Sequence, residues 1–334
     1  MSMAAWQQGL TLFFSLLVEA LPFLLLGVLF SSLLLGWVEP EKVVRLLPRH
    51  PLAGAVAGAL LGCLLPVCEC GNVPVARRLL TQGLPASVAV GFLLGAPTIN
   101  PIVLWSTWVA FRDQPLMVVG RLVLTLVVAV VVGWVFSVQR DLRPFLQPAV
   151  AQAMPVPMSQ RPQRELALVS VPTGHFWAVA GRQPIPLDSS GWSALRLLSW
   201  RGRWRLVWVN ALTELRELGA VLILGTAVAA AIQVLAPREL ILSLGQGPAT
   251  SVLAMLALGT VVSICSTVDA FFALSFAGSF TAGALLAFLV FGPMVDLKGV
   301  SLLLTVFRPR AVLYLFLLAA SLTFVLTLAM NLYL

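Results

Sequence analysis

The sequence predicts an all-α integral membrane protein with about eight transmembrane helices, in two homologous halves with broken helices. Three observations carry this. Hydrophobic residues make up 60% of the chain and charged residues 10%. The apolar residues gather into blocks of membrane length. Prolines, glycines and polar residues that interrupt those blocks recur 197 positions apart. A soluble domain is roughly 45–50% apolar and about 25% charged, so this composition needs lipid as solvent.

The blocks are Leu10–Trp37, Leu52–Pro66, Ala86–Phe111, Leu116–Val138, Ala220–Ala236, Ser251–Ile264, Ala282–Phe291 with its continuation to Phe307, and Ala311–Leu334. About 20 apolar residues cross the hydrocarbon as a helix, so Leu52–Pro66 and Ser251–Ile264 are marginal spans. A barrel would instead show short alternating strands. The first block has no preceding Lys or Arg and exceeds a signal-peptide core, so no cleaved leader is expected.

Residues 1–138 form the first expected repeat and 207–334 the second, joined by a Pro-rich, basic linker over 139–206. Stretches such as Val156–Gln163 read as disordered. Glu165–Ala180 and Trp192–Trp200 have enough apolar residues for small structured or membrane-lying pieces. Arg140, Arg143, Arg201, Arg203 and Arg205 place the linker in the cytoplasm under the positive-inside rule. Four crossings per half would put both termini there too. On that count Arg77 and Arg78 fall inside, but Lys42, Arg45, Arg49, Arg238, Arg308 and Arg310 fall outside. The net charge of +8 thus reflects topology, and no nucleic-acid motif accompanies it.

Shifting the chain against itself sets Pro40 on Pro237, Pro51 on Pro248, Gly62 on Gly259, Cys68 on Cys265, Asn72 on Asp269 and Gly95 on Gly292. Duplicated halves with matching breaks are a transporter signature. An even number of crossings per half makes the repeats parallel, an odd number inverted, and the marginal blocks leave that open.

Each half has two breaks. The first half has Leu64–Pro74 and Gly95–Pro101, the second Ser263–Ala270 and Gly292–Gly299. Proline removes a backbone donor and ends helices. Irregular backbone at membrane depth survives only inside protein or beside a wet cavity, so all four breaks are expected to line one pathway. The four cysteines lie at or beside them. Cys68, Cys70 and Cys265 are candidate ligands for a soft, thiophilic solute or metal ion, while Cys63 reads as a small core residue. Asn72, Thr98 and Asn100 are candidate polar contacts to the solute. Cys68 and Cys70 are too close for a usual zinc knuckle, and neither His50 nor His175 completes a set.

Charged side chains inside a membrane cost about 2.5–3.5 kcal/mol each, which marks Glu19, Glu69, Asp269 and Asp296 as candidate ion-coupling residues. Asp296 and Lys298 are close enough in sequence to neutralise one another. Asp269 has no basic neighbour, so its partner comes from elsewhere or it is protonated. Glu214, Arg216 and Glu217 read as an interfacial salt-bridge group.

The ordered motifs Cys68-Glu69-Cys70-Gly71-Asn72-Val73-Pro74, Pro97-Thr98-Ile99-Asn100-Pro101, Cys265-Ser266-Thr267-Val268-Asp269-Ala270-Phe271 and Gly292-Pro293-Met294-Val295-Asp296-Leu297-Lys298 resemble the ArsP/YraQ-type permeases. Some members of that family export organoarsenicals. The resemblance implies roughly eight crossings and a site formed by the cysteine-containing segments.

The sequence therefore predicts a multi-pass permease of a bacterial-type cytoplasmic membrane, exporting a small thiophilic solute with proton coupling. It predicts no cofactor, no enzyme activity and no nucleic-acid partner; lipid, solute and a homo-oligomer are the expected associations. The alternatives are a permease or channel for another small solute, with the cysteines only packing, and an intramembrane enzyme. No Gly-x-x-x-x-Gly-Lys-Ser/Thr loop supports an ATP-driven pump, and no His-Glu-x-x-His helix supports a protease.

Overall fold

The computed structural model describes residues 3–37, 48, 50–64, 68–139, 142–154, 178–179, 184–185, 199–235 and 247–333. The Pro40–Pro237 match lies outside these residues, as do Pro66, Val156–Gln163, and Lys42, Arg45, Arg49, Arg140 and Arg238.

The first half runs α1 (Met3–Trp37), α2 (Pro51–Leu64), α3 (Glu69–Thr81), α4 (Ala86–Gly95), α5 (Pro101–Ala110) and α6 (Pro115–Val138). A short helix, α7 (Pro148–Ala153), follows. The second half runs α8 (Trp200–Leu235), α9 (Pro248–Val262), α10 (Asp269–Leu274), α11 (Ala282–Phe291), α12 (Leu297–Leu303) and α13 (Pro309–Tyr333). Four of these, α1, α6, α8 and α13, are long and apolar enough to cross a membrane. Among the described residues the only strands are the two-residue pair Ala178–Val179 and Pro184–Ile185. Prolines open α2, α5, α6, α9 and α13, because a first-turn residue has no intrahelical N–H bond to lose. α8 begins at Trp200, so Arg201, Arg203 and Arg205 belong to its first turns rather than to the linker.

Glycine contacts establish how the short helices run. A Cβ on Gly58 would strike the backbone of Val88, one on Gly62 that of Ala96, and one on Gly95 that of Ala59. These contacts advance in the same direction along α2 and α4, so the two helices are parallel and α3 between them runs back. The turn from α3 to α4 is made by Gly83, whose φ of 83° suits glycine. The second half repeats the arrangement: Ser251 and Thr281 meet near the starts of α9 and α11, their hydroxyls 3.3 Å apart, and Gly259 lies on Gly292 near both ends. Small residues permit such close backbone approach in lipid, where packing replaces the hydrophobic drive.

The corresponding long helices of the two halves run in opposite directions. Along α1 and α8, Gly9 faces Val234, Ser31 Oγ lies 3.2 Å from Glu214 Oε2, and the Trp37 ring lies 5.0 Å from that of Trp204. Along α6 and α13, Gly120 near the start of one faces Met330 near the end of the other.

The halves are interleaved. One apolar core joins Val128 and Val132 of α6 to Met255, Leu286 and Leu315 of the second half. The other joins Leu24, Val28 and Leu80 to Leu218 and Leu302. The linker's first residues complete the second core: Leu146 is buried, Gln147 N–H donates to Val306 O (2.9 Å), and Arg308 N–H to Phe145 O (2.8 Å). This part of the linker is a docked strap across the turn before α13.

The glycine packing makes a testable contrast. Gly58→Leu is expected to lower the unfolding midpoint of detergent-solubilised protein, through overpacking of about 1–3 kcal/mol. Gly219→Ala, where nothing lies within 4 Å of the added methyl, is expected to leave it unchanged.

Candidate functional site

The breaks before α3 and α10 each present a cysteine. Cys68 is the extended residue ahead of α3. Cys265 follows Ser263, which ends α9 in a left-handed conformation (φ 50°) and whose Oγ accepts the N–H of Leu297 at 3.1 Å. That bond ties the two breaks of the second half together. All three of Cys68, Cys70 and Cys265 are buried free thiols, and they belong to one buried cluster. The sulfurs of Cys68 and Cys70 and a Glu69 carboxylate oxygen lie within 4.8 Å of one another. Cys63 faces outward on α2, which corrects its reading as a core residue. An exposed thiol on a membrane-embedded helix needs no core, because lipid solvates it.

Charge closes around the thiols from three elements. Lys298, fully buried, places Nζ 3.6 Å from Glu69 Oε1 and 3.9 Å from Asp296 Oδ2. Asp296 also caps α12, its Oδ1 accepting the Gly299 N–H at 2.7 Å. Glu19, half-buried on α1, accepts the Cys265 N–H at 3.3 Å. Asn72 donates to Leu93 O at 2.8 Å and so pins α3 to α4. A small void touches Glu69, Asn72, Leu93, Met294 and Gly299. Glu69 Oε2 and Asn72 Oδ1 are buried there without hydrogen-bond partners among the described residues.

Thus the predicted residues Cys68, Cys70, Cys265, Glu69, Glu19 and Asp296 form one linked cluster, with Asn72 at its edge. Asn100 is engaged as the cap of α5, its side chain accepting the Ile102 N–H at 3.0 Å. Thr98 is buried with no partner for its hydroxyl among the described residues.

Asp269, whose N–H donates to Cys265 O at 3.0 Å, gives its carboxylate to Arg121. The guanidinium reaches both carboxylate oxygens at 2.9 and 2.6 Å and Thr107 Oγ1 at 2.8 Å, and both ionic side chains are buried. Arg121 was missed in the sequence, although a lone arginine inside Leu116–Val138 and an aspartate in the other half with no basic neighbour, Asp269, were its signal. Across the other contact between halves, Arg77 pairs with Glu217 at 3.2 Å. Glu214, read as interfacial, is instead buried against Ser31 of α1. Glu69–Lys298, Asp269–Arg121 and Arg77–Glu217 each bridge the two halves.

The family model described as a predicted permease, ArsP_1, matches residues 5–332. UPF0718 protein YcgR of Bacillus subtilis is 36% identical over 302 residues, covering 90% of each chain. A Streptococcus mutans protein, named as a subunit of a two-component membrane permease complex, is 31% identical over 306 residues, covering 92% of this chain and 89% of its own. No solved structure matches. A match of this extent, over a helical chain with membrane-length spans, means that the protein belongs to the ArsP_1 family of membrane permeases.

Proposed function

We propose that this permease exports a small thiophilic solute, such as a trivalent organoarsenical or a soft metal ion, through a pathway between two repeats of opposite orientation. The observation that carries the reading is that Cys68 and Cys70 of the first half share one buried cluster with Cys265 of the second. Thiolates prefer soft centres, and neighbouring thiols let such a solute pass from one sulfur to the next without full release. A cluster built from both halves can open to either side when the halves rock.

Proton coupling belongs to the same proposal. Glu19, Glu69 and Asp296 surround the thiols, whereas Asp269 is held by Arg121 and serves better as a bridge between halves. The name of the Streptococcus mutans relative supports a partner subunit, and the mass of the complex extracted from native membranes tests for one.

Uptake of methylarsenite, Cu(I) or Zn(II) into everted vesicles, with and without a proton gradient, tests the function. Cys68→Ser, Cys70→Ser and Cys265→Ser are each expected to cut transport at least about tenfold at unchanged protein level, while Cys63→Ser is silent. Undiminished transport in all three buried-cysteine variants would reduce the thiols to packing. It would favour a permease for another small solute.

A further inference from the structure

We infer that the linker and the two ends of the chain lie on opposite sides of the membrane: the linker in the cytoplasm, the start of α1 and the end of α13 outside. This departs from the expectation of four crossings per half, which put all three on one side. It rests on helix directions and charge, independently of the solute.

Each half crosses three times. α1 is the first crossing. α2 and α3 then enter and return, since α2 and α4 are parallel with α3 running back between them. α4 and α5 together make the second crossing. The end of α6 lies beside the start of α4, where Gly133 meets Ser87. α6 has 24 residues and α4 has 10, about 36 Å against about 15 Å, so α5 must supply the remaining depth before α6 returns as the third crossing. Three is odd, which inverts the second half, as the antiparallel pairs α1/α8 and α6/α13 require.

The helix ends sort onto two faces. On the linker face the end of α1 meets the start of α8, where Trp37, Trp200 and Trp204 pack ring to ring. There too the linker strap binds the turn before α13. On the other face Gly9 of α1 meets Val234 of α8. Asn331 near the end of α13 accepts the Gly283 N–H at 2.9 Å and donates to Pro248 O at 3.4 Å, reaching the starts of α11 and α9.

The basic residues follow this division. Arg143, Arg201, Arg203, Arg205, Arg308 and Arg310 belong to the linker face, and the sequence between α1 and α2 carries Lys42, Arg45 and Arg49. The opposite face has Arg112 before α6, and the α8–α9 connector carries Arg238. An excess of Lys and Arg in short loops near membrane ends marks the cytoplasmic side, and the tryptophan cluster suits the headgroup level of that face. Arg308 and Arg310, which oppose the rule under four crossings per half, obey it under three.

Reporter fusions in bacterial cells and protease cleavage of membrane vesicles test this. Alkaline phosphatase fused after Leu334 is expected to be active, and green fluorescent protein at the same place dark, because it folds only in the cytoplasm. A protease site inserted within residues 155–177 is expected to be cut in everted vesicles and spared in intact spheroplasts. A bright C-terminal fluorescent fusion overturns the inference, and so does cleavage of the linker from outside. A bright fusion with a linker cut only in everted vesicles would restore an even number of crossings per half.

Discussion

Asp269→Ala is expected to be among the most destabilising single substitutions in this protein. It strands the Arg121 guanidinium, which is fully buried and otherwise bound through both nitrogens to that carboxylate. Removing one partner of a buried ion pair costs about 3–5 kcal/mol, whereas replacing both with apolar residues is often neutral or stabilising. Arg121→Leu should cost a similar amount by leaving the carboxylate unpaired, and Arg121→Leu/Asp269→Leu should recover most of either loss. Unfolding midpoints in detergent across this double-mutant cycle give the coupling. Single variants as stable as the parent would mean that the pair does not hold α6 to α10. If the double variant folds but transports poorly, the bridge also governs how the halves move.

Lys298→Met carries the second large expectation, because it leaves Glu69 and Asp296 buried with no cation beside them among the described residues. A marked loss of folded protein is expected, with transport by any surviving fraction down at least about tenfold. Glu69→Gln/Lys298→Met should restore folded yield without restoring transport, since the double variant removes the bridge between halves along with the unpaired charge. Glu69→Gln alone should be milder on stability, Asp296 remaining near Lys298. Size-exclusion profiles of solubilised protein separate folding from transport. Equal yields for Lys298→Met and the parent would remove Lys298 from its role as counter-ion to the thiol site.

Much of the fold was legible because each signal is local. Membrane-length apolar runs must become helices when no water is present to satisfy the backbone, and prolines mark where those helices start or break. The 197-residue offset aligned Cys68 with Cys265 and Asn72 with Asp269. Helix direction was not legible, since composition is the same read either way along an apolar segment. The marginal blocks Leu52–Pro66 and Ser251–Ile264 therefore left the parity of crossings open, and with it the sidedness of the basic loops.

Sequence by itself determined a helical permease with lipid as its solvent, interrupted by Pro, Gly and polar residues, with Cys68, Cys70, Cys265 and the acidic residues Glu69, Asp269 and Asp296 at three of the breaks. Tertiary structure decided which charges answer one another: Arg121 with Asp269 across 148 positions, Lys298 with Glu69, and Glu214 with Ser31. Such pairs have no local signature, because in low dielectric a buried charge requires an opposite charge nearby in space and takes no account of distance along the chain. Interleaving the two halves is what brings each pair of partners together and gathers the three thiols in one buried cluster.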